Sequence, residues 1–283
     1  MITGKTVNLG VMGWPIAHSL SPVMQNAAIS AAGIDYCYTA LPVRPEDLAA
    51  AVNGLKAMQF RGWNVTIPHK TAIMEHLDEI DEDARIIGAV NTVVNDNGRL
   101  KGYNTDVTGF IQALRDKGFE PQDKTVVLLG AGGAARAVVW GLLKAGAKAI
   151  RIGVRTPAKV QPLVEEFSRY GTISVKHWDS EAFTSELVAA DLLVNTTPLG
   201  MTPQVDGRPP VDWSKVNPQA FVYDIIYTPA ETRFLREARE LGHPVLNGEG
   251  MLAGQGAAAF VKWTGVMPDV ELMKAKLRAA LAQ

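Results

Sequence analysis

Cysteine is almost absent from this sequence: Cys37 is the only one among 283 residues. One thiol excludes an internal disulfide and a multi-cysteine metal site, and it suits a reducing, cytoplasmic compartment. It lies in YCYTALPV, an alternating, strand-like run in which a packed thiol is expected rather than a reactive one. No HExxH or other metal-ligand spacing is present, so no metal is expected. An excess of either charge is missing as well, 28 Lys and Arg standing against 29 Asp and Glu for a net charge of -1. That balance gives no long-range attraction to nucleic acid or to an acidic membrane surface, and no nucleic-acid recognition module is present. Long apolar runs are lacking too. The longest, VVLLGAGGAARAVVWGLL, is broken by Arg136 and four glycines, which argues against a membrane span. The first residues, MITGKTVNLGVMG, lead straight into a strand without the long apolar segment of a signal peptide, in keeping with a cytoplasmic location.

What is present is glycine, 26 copies against 16 of proline, and enough chain for two domains of ordinary size. In the first third, VNLGVMG, DYCYTALPV and FRGWNVT read as strands. Between them PVMQNAAISAAG reads as a helix closed by Gly33, and PEDLAAAVNGLKAM as a helix opened by a proline. PHKTAIMEHLD is expected to start a further helix. AVNTVVNDNGRLKGYNT resembles a hairpin around Asn97-Gly98, the strongest two-residue turn signal in the chain. Strand, helix, strand, helix implies an α/β domain with parallel pairing and right-handed crossovers, which the hairpin makes mixed.

After GFEPQDK a second series begins. KTVVLLG, AIRIGV, ISVKHW, DLLVNTTP, AFVYDII and HPVLN read as strands, and AARAVVWGLLKAG, AKVQPLVEEFSRY, SEAFTSELVAA and AETRFLREARELG as helices. Near-continuous apolar strands suit a sheet covered on both faces. The boundary is expected near residues 104–109, with the second sheet domain running to about Asn247. The closing helical stretches, MLAGQGAAAFVKWTG and VELMKAKLRAAL, are left by periodicity to either domain.

KTVVLLGAGGAARAVVWGLL carries the sharpest signal, a G-x-G-x-x-A at Gly130, Gly132 and Ala135 between a predicted strand and a predicted helix. Gly130 permits a tight turn, Gly132 leaves room for a pyrophosphate against backbone N–H groups, and Ala135 lets the helix pack closely on the sheet. The helix N-terminus adds positive potential at the same place. An NAD site usually has Asp or Glu at the end of the next strand, for the ribose 2′-hydroxyl. This chain has GVRTPAK instead, offering Arg155, Thr156 and Lys159. Arg155 suits a 2′-phosphate, which favours NADP over NAD; a solvated charge at a strand end is the plainer alternative.

NVTIPHK ends a predicted strand on Lys70, and Asp106 lies in GYNTD where the chain leaves the first domain. Ligands of open parallel sheets gather at the carboxyl ends of strands. A lysine beside a carboxylate there suits a proton relay for hydride chemistry on a secondary alcohol, whereas an exposed Lys and a helix-capping Asp are equally ordinary. His18, Ser19 and Ser21 in AHSLSP either cap a helix or receive a small carboxylate. His69 tempts assignment as a base, yet a histidine on a first turn is as readily solvated.

GWPIAHSLSP, NVTIPHK, GAVNT, GYNTD, LGAGGAARA, NTTPLGM and GEGMLAGQGAAAF occur in order and cover nearly the whole chain. On these blocks the chain resembles the shikimate dehydrogenase family, including its quinate/shikimate dehydrogenase relatives. The resemblance implies an N-terminal α/β substrate domain, residues 1–105 completed by 248–283, and a Rossmann NADP-binding domain over 106–247. It implies reversible, NADPH-dependent reduction of 3-dehydroshikimate to shikimate, in chorismate and aromatic amino-acid biosynthesis, by a monomer or homodimer. Lys70 and Asp106 would be the catalytic pair. Ser19 and Ser21 would hold the substrate carboxylate, and Thr66, Asn91 and Gln255 the ring hydroxyls. Asn64 and Asn104 would support or line the site, and Tyr227 would reach its substrate side.

By the same resemblance Gly130, Gly132, Gly133 and Ala134 would cradle the cofactor pyrophosphate, with Arg155 and Thr156 at the adenosine end. Thr197, Gly200, Met201, Gly248 and Met251 would lie near the nicotinamide or the closing cleft. Two departures stand out. Val154 precedes Arg155-Thr156 where the family commonly has Asn, and Gln25 stands where members often have His, as in some quinate/shikimate enzymes. Use of NAD, and a quinate/shikimate activity, are therefore the alternatives within the family. A non-catalytic dinucleotide-sensing regulator is the alternative of a different class, against which an intact Lys70/Asp106 pair argues.

Overall fold

The alternating apolar runs build two sheets, each with its own core. The structure, a computed structural model, describes residues 2–282. It divides into two compact units, one made of Met1–Gly109 with Ala253–Gln283 and the other of Phe110–Leu252.

The first unit contains β1 (Val7–Gly13), α1 (Ser21–Ala32), β2 (Tyr36–Pro42), α2 (Leu48–Ala57), β3 (Gly62–Val65), β4 (Glu79–Ile80), α3 (Glu82–Ile87), β5 (Thr92–Asp96) and β6 (Arg99–Tyr103). It ends in the first turn of α4 (Asp106–Arg115). Its six strands lie in the order β2-β1-β3-β5-β6-β4. β1 is parallel to β2 and β3, while β5 is antiparallel to both β3 and β6, so the sheet is mixed. The β5–β6 hairpin turns at Asn97 and Gly98 with φ of 51° and 91°, the left-handed pair that matches the twist of the flanking strands. Met12, Val52, Trp63, Val65, Ile73, Val93 and Leu100 are buried together in its core.

The second unit continues with β7 (Thr125–Leu129), α5 (Ala135–Lys144), β8 (Ala149–Val154), α6 (Gln161–Phe167), β9 (Ile173–His177), α7 (Glu181–Leu187), β10 (Leu192–Asn195), β11 (Phe221–Asp224), α8 (Arg233–Glu240) and β12 (Val245–Leu246). Every pairing is parallel, in the order β12-β11-β10-β7-β8-β9. Counted from β7, that is the doubly wound dinucleotide-binding order, with its switch point between β7 and β10. The chain then enters α9 (Glu249–Thr264) and closes with α10 (Val270–Leu281), the last part returning to the first unit. The units divide inside α4 and inside α9, whereas the sequence reading put the limits at 105/106 and 247/248.

Two local expectations need correction. PHKTAIMEHLD forms no α-helix; only a 3-10 turn, Ala72–His76, occurs. The Lys70 carbonyl accepts Val90 N–H at 2.8 Å instead of continuing a helical ladder, and His69 is drawn into the core, where its Nε2 lies 2.7 Å from Val43 O. His69 is thus a structural tie, not a solvated residue, being 1% exposed. Conversely, α4 and α3 form where no helix was read. Asp106 opens the first, and Asp81 caps the second by accepting Asp83 N–H.

Candidate active site

The topology of the first unit gathers polar residues along one edge of its sheet. β1 and β3 run together, Met12 beside Val65, and both deliver their carboxyl ends there. β5 runs the other way with Thr92 beside Asn64, so its first residues reach the same edge, and β6 returns with Tyr103 beside Thr92. Around these ends stand Ser19, Ser21, Thr66, Lys70, Asn91, Asn104 and Asp106.

Lys70 Nζ donates to Asp106 Oδ2 at 2.6 Å, and the two side chains are 25% and 12% exposed. The pair is reachable by a ligand yet shielded enough for its electrostatics to stay strong. Asp106 Oδ1 accepts from Asn91 Nδ2 at 2.8 Å, and the Asp106 N–H donates to Asn104 Oδ1 at 3.1 Å. Asn104 Nδ2 in turn donates to Ala89 O at 3.0 Å. Asn91 Oδ1 accepts Thr92 Oγ1, Thr105 N and Thr105 Oγ1, at 2.9, 2.8 and 3.1 Å. Asn64 donates to Asn91 O and Thr92 Oγ1, and its Oδ1 accepts the Tyr38 hydroxyl at 2.6 Å. Both amide hydrogens of Asn64 are engaged in this bracing, as are both heteroatoms of Asn104, whereas Asn91 keeps one amide hydrogen for a ligand.

Ser19, on the β1–α1 connection, and Ser21, the first residue of α1, are half-buried. Neither caps α1: Leu20 is the N-cap residue, and Ser19 Oγ accepts the Ser21 N–H at 3.3 Å. Gln255 is half-buried on α9. Gln25 is fully buried and donates to Gly256 O at 2.9 Å, tying α1 to α9. Cys37 Sγ lies 3.1 Å from Asn8 Oδ1, and burial together with Asp35 pushes its thiol up, away from reactivity.

In the second unit the glycine loop follows β7. Gly130 has φ of 94° and faces Thr197, so a side chain there would be strained and obstructed. Gly132 and Gly133 are different: both are exposed, neither has positive φ, and an added Cβ meets only Thr196 O at 3.6 Å or nothing. Nothing inside the protein requires glycine at those two positions, which is what a surface against which a pyrophosphate lies demands. Next to them α5 begins after Ala134 with no side-chain cap, Ala135 N–H donating to Gly132 O at 2.9 Å, and the positive end of its dipole suits an anion. Arg155 and Thr156, both exposed, follow the carboxyl end of β8. The residues of this chain therefore fit a nicotinamide dinucleotide.

Thr197, Gly200 and Met201 follow β10, Tyr227 follows β11, and Gly248 and Met251 follow β12. A Cβ on Gly248 would collide with the carbonyl of Ile225, so chain crossing alone fixes this glycine. Burial pushes the Tyr227 phenol up, keeping it a hydrogen-bond donor. Sequence reading passed over several buried polar residues: Tyr38, Thr92 and Thr105 in the first unit, and Asn195, Thr196, Asp224 and Thr232 in the second. Asn195 and Asp224 had a signal, a polar residue closing an apolar strand in LLVN and FVYD. Tyr38 had none, lying mid-strand in an alternating run.

Comparison with known proteins matches three stretches of the chain to family descriptions. Residues 11–93 match the shikimate dehydrogenase substrate binding domain, residues 113–198 shikimate / quinate 5-dehydrogenase, and residues 248–278 the shikimate 5′-dehydrogenase C-terminal domain. A shikimate dehydrogenase (NADP(+)) of Geobacter metallireducens is 48% identical over 285 residues, covering 99% of each chain. A solved shikimate dehydrogenase in complex with NADP+ is 42% identical with a TM-score of 0.93, over 100% of this chain and 98% of that one. Shikimate 5-dehydrogenase from Listeria monocytogenes, solved with shikimate and NAD, is 38% identical with a TM-score of 0.94 over 98% of both chains. The chain belongs to the shikimate dehydrogenase family, and its two-domain α/β fold with a Rossmann-like unit is that of the family.

Proposed function

We propose that this member of the family is an NADP-dependent shikimate dehydrogenase, interconverting 3-dehydroshikimate and shikimate on the route to aromatic amino acids. The observation that carries the reading is the Lys70–Asp106 pair, held from behind by Asn91 and Asn104. NADPH, when bound, supplies hydride to the C3 carbonyl carbon. Lys70 Nζ gives its proton to the oxygen that becomes the C3 hydroxyl, and takes it back in the oxidative direction. Its positive charge also stabilises the developing alkoxide. Asp106 orients the ammonium and accepts a substrate hydroxyl. Ser19 and Ser21 receive the carboxylate, Thr66, Asn91 and Gln255 the ring hydroxyls, and Tyr227 is a further substrate-binding residue. Asn64 and Asn104 act as braces.

On the cofactor side Gly130, Gly132, Gly133 and Ala134 hold the pyrophosphate, Arg155 and Thr156 the 2′-phosphate. Thr197, Gly200, Met201, Gly248 and Met251 line the nicotinamide end. The exposed Arg155 and the NADP+-bound relative support NADP. The single cysteine supports a reducing, cytoplasmic setting.

A quinate/shikimate dehydrogenase using either cofactor is the second reading, favoured by Val154 and Gln25 and by the NAD-bound relative. The deciding measurement is kcat/KM for shikimate and for quinate, each with NADP+ and with NAD+. Shikimate with NADP+ is expected to lead; comparable values for quinate, or a lead for NAD+, overturn that choice. Absence of turnover on either substrate, with dinucleotide still bound, makes the chain a sensor and not an enzyme.

A further inference from the structure

Asp224, at the carboxyl end of β11, is fully buried, and all three of its donors are neutral. Its Oδ1 accepts Asn195 Nδ2 at 3.1 Å and Ile226 N at 3.0 Å; its Oδ2 accepts Thr232 Oγ1 at 2.7 Å. Each donor belongs to a different segment. Asn195, its amide nitrogen turned to Asp224, offers Oδ1 to Thr197 N at 2.9 Å and Thr197 Oγ1 at 2.7 Å. Ile226 passes the constraint on, because its carbonyl accepts Gly248 N–H at 2.9 Å. Thr232 backs the sharp bend at Gly200, whose φ is 96° and where a Cβ would sit 3.4 Å from Thr232 Cβ. The strap between them is closed by Thr202 N donating to Thr228 O at 3.0 Å.

We propose that Asp224 is a positioning residue for the nicotinamide end of the cofactor, fixing through Asn195, Ile226 and Thr232 the three connections that carry Thr197, Gly200, Tyr227 and Gly248. The inference rests on the dehydrogenase reading above for what those connections hold. A carboxylate is the one side chain of this size that accepts on both oxygens at once. An amide in its place turns N–H groups toward donors. Burying that charge without a counter-ion is unfavourable, so its retention calls for a role beyond packing.

The test uses the full chain with four substitutions. Asp224→Asn and Thr232→Val remove the acceptor and one donor, Thr232→Ser restores that donor, and Ser180→Ala deletes an unrelated helix cap on α7. NADPH binding is read without substrate by energy transfer from tryptophan, and KM is read separately for NADP+ and shikimate. Asp224→Asn and Thr232→Val are expected to weaken NADPH binding and raise the KM for NADP+ by about tenfold, the scale of one lost charge-assisted hydrogen bond. The KM for shikimate should rise less, since only Tyr227 reports there, and every constant of Thr232→Ser and Ser180→Ala should stay within about twofold. Equal loss in Ser180→Ala and Thr232→Val reduces the effect to general destabilisation and overturns the proposal. So does an NADPH affinity unchanged in both Asp224→Asn and Thr232→Val. If Asp224→Asn does not fold, the Thr232 pair decides alone. If the wild type binds NADPH but turns over no shikimate, the functional reading fails while the binding arm still reports on Asp224.

Discussion

Asp224→Asn should change how stability depends on pH, and by an amount the structure sets. Burial pushes the Asp224 carboxyl from 3.8 up to about 6, against the opposing pull of Thr232, Ile226 and Asn195. A folded-state value above the unfolded one means that the native protein holds this proton more tightly than the unfolded chain does. The corresponding stability is complete below about pH 4 and is lost as pH rises through about 6. The loss is about 3 kcal/mol in total, from 1.36 kcal/mol per pH decade, and because the side chain is fully buried no screening discount applies. About half of it falls between pH 5 and pH 8. Asparagine has no proton to lose, so stability of the variant minus that of the wild type should climb by that amount across the window. Urea unfolding followed by circular dichroism at each pH measures the difference, and exposed carboxylates common to both proteins cancel. A difference that stays flat from pH 5 to pH 8 refutes a buried, ionising Asp224 at neutral pH.

Three further substitutions probe the two units. Lys70→Ala should lower kcat by about 10²- to 10⁴-fold, the contribution of a positioned acid–base group, with NADPH binding preserved; a near-normal kcat in steady-state assay rejects Lys70 as proton donor. Arg155→Ala should raise the KM for NADP+ by about tenfold or more while that for NAD+ barely moves, since only the former has a 2′-phosphate. Equal changes for both cofactors defeat that role. Tyr38→Phe leaves Asn64 Oδ1 without its donor at 2.6 Å and should cost about 1–3 kcal/mol of stability, read by urea unfolding. No loss would mean that Asn64 finds another partner.

How much of this was legible in the sequence depends on how local each feature is. The glycine turn, the hairpin at Asn97-Gly98 and the alternating apolar runs are set by neighbours along the chain, and their elements form where read. PHKTAIMEHLD fails as a helix because distant partners claim it, Val90 N–H taking the Lys70 carbonyl and Val43 O the His69 ring, which no periodicity reports. Lys70 and Asp106 are 36 residues apart, so their contact could only be reached through a family resemblance, and the geometry brings them within 2.6 Å. Thr105 and Thr92 stayed invisible for a simpler reason. Each stands beside a residue with a conspicuous charge or amide and looks like filler until its hydroxyl is seen on Asn91 Oδ1.

That hydroxyl pair carries a consequence for the chemistry. An asparagine amide can be turned either way, and its two faces do opposite things to a neighbouring carboxylate. Thr105 N–H can only donate, and it is aimed at the same atom as the Thr92 and Thr105 hydroxyls, so oxygen occupies that position and nitrogen is turned toward Asp106. Asp106 is then fixed from two directions, by Asn91 at its Oδ1 and by Asn104 at its backbone, before Lys70 touches it. The acceptor is rigid, and the donor sits on a four-carbon stem with two of its three N–H bonds uncommitted to Asp106. In the proposed reaction, a rigid anion with a compliant cation would let the ammonium follow a substrate oxygen as it changes from carbonyl to alcohol without the carboxylate having to move. Had Asn91 faced the other way, its oxygen would repel Asp106 and the buried Thr105 N–H would lose its acceptor, at about 1–3 kcal/mol. The identity of the atom facing Asp106 is therefore decided by the backbone N–H of the buried Thr105, with the hydroxyls of Thr92 and Thr105 adapting to it.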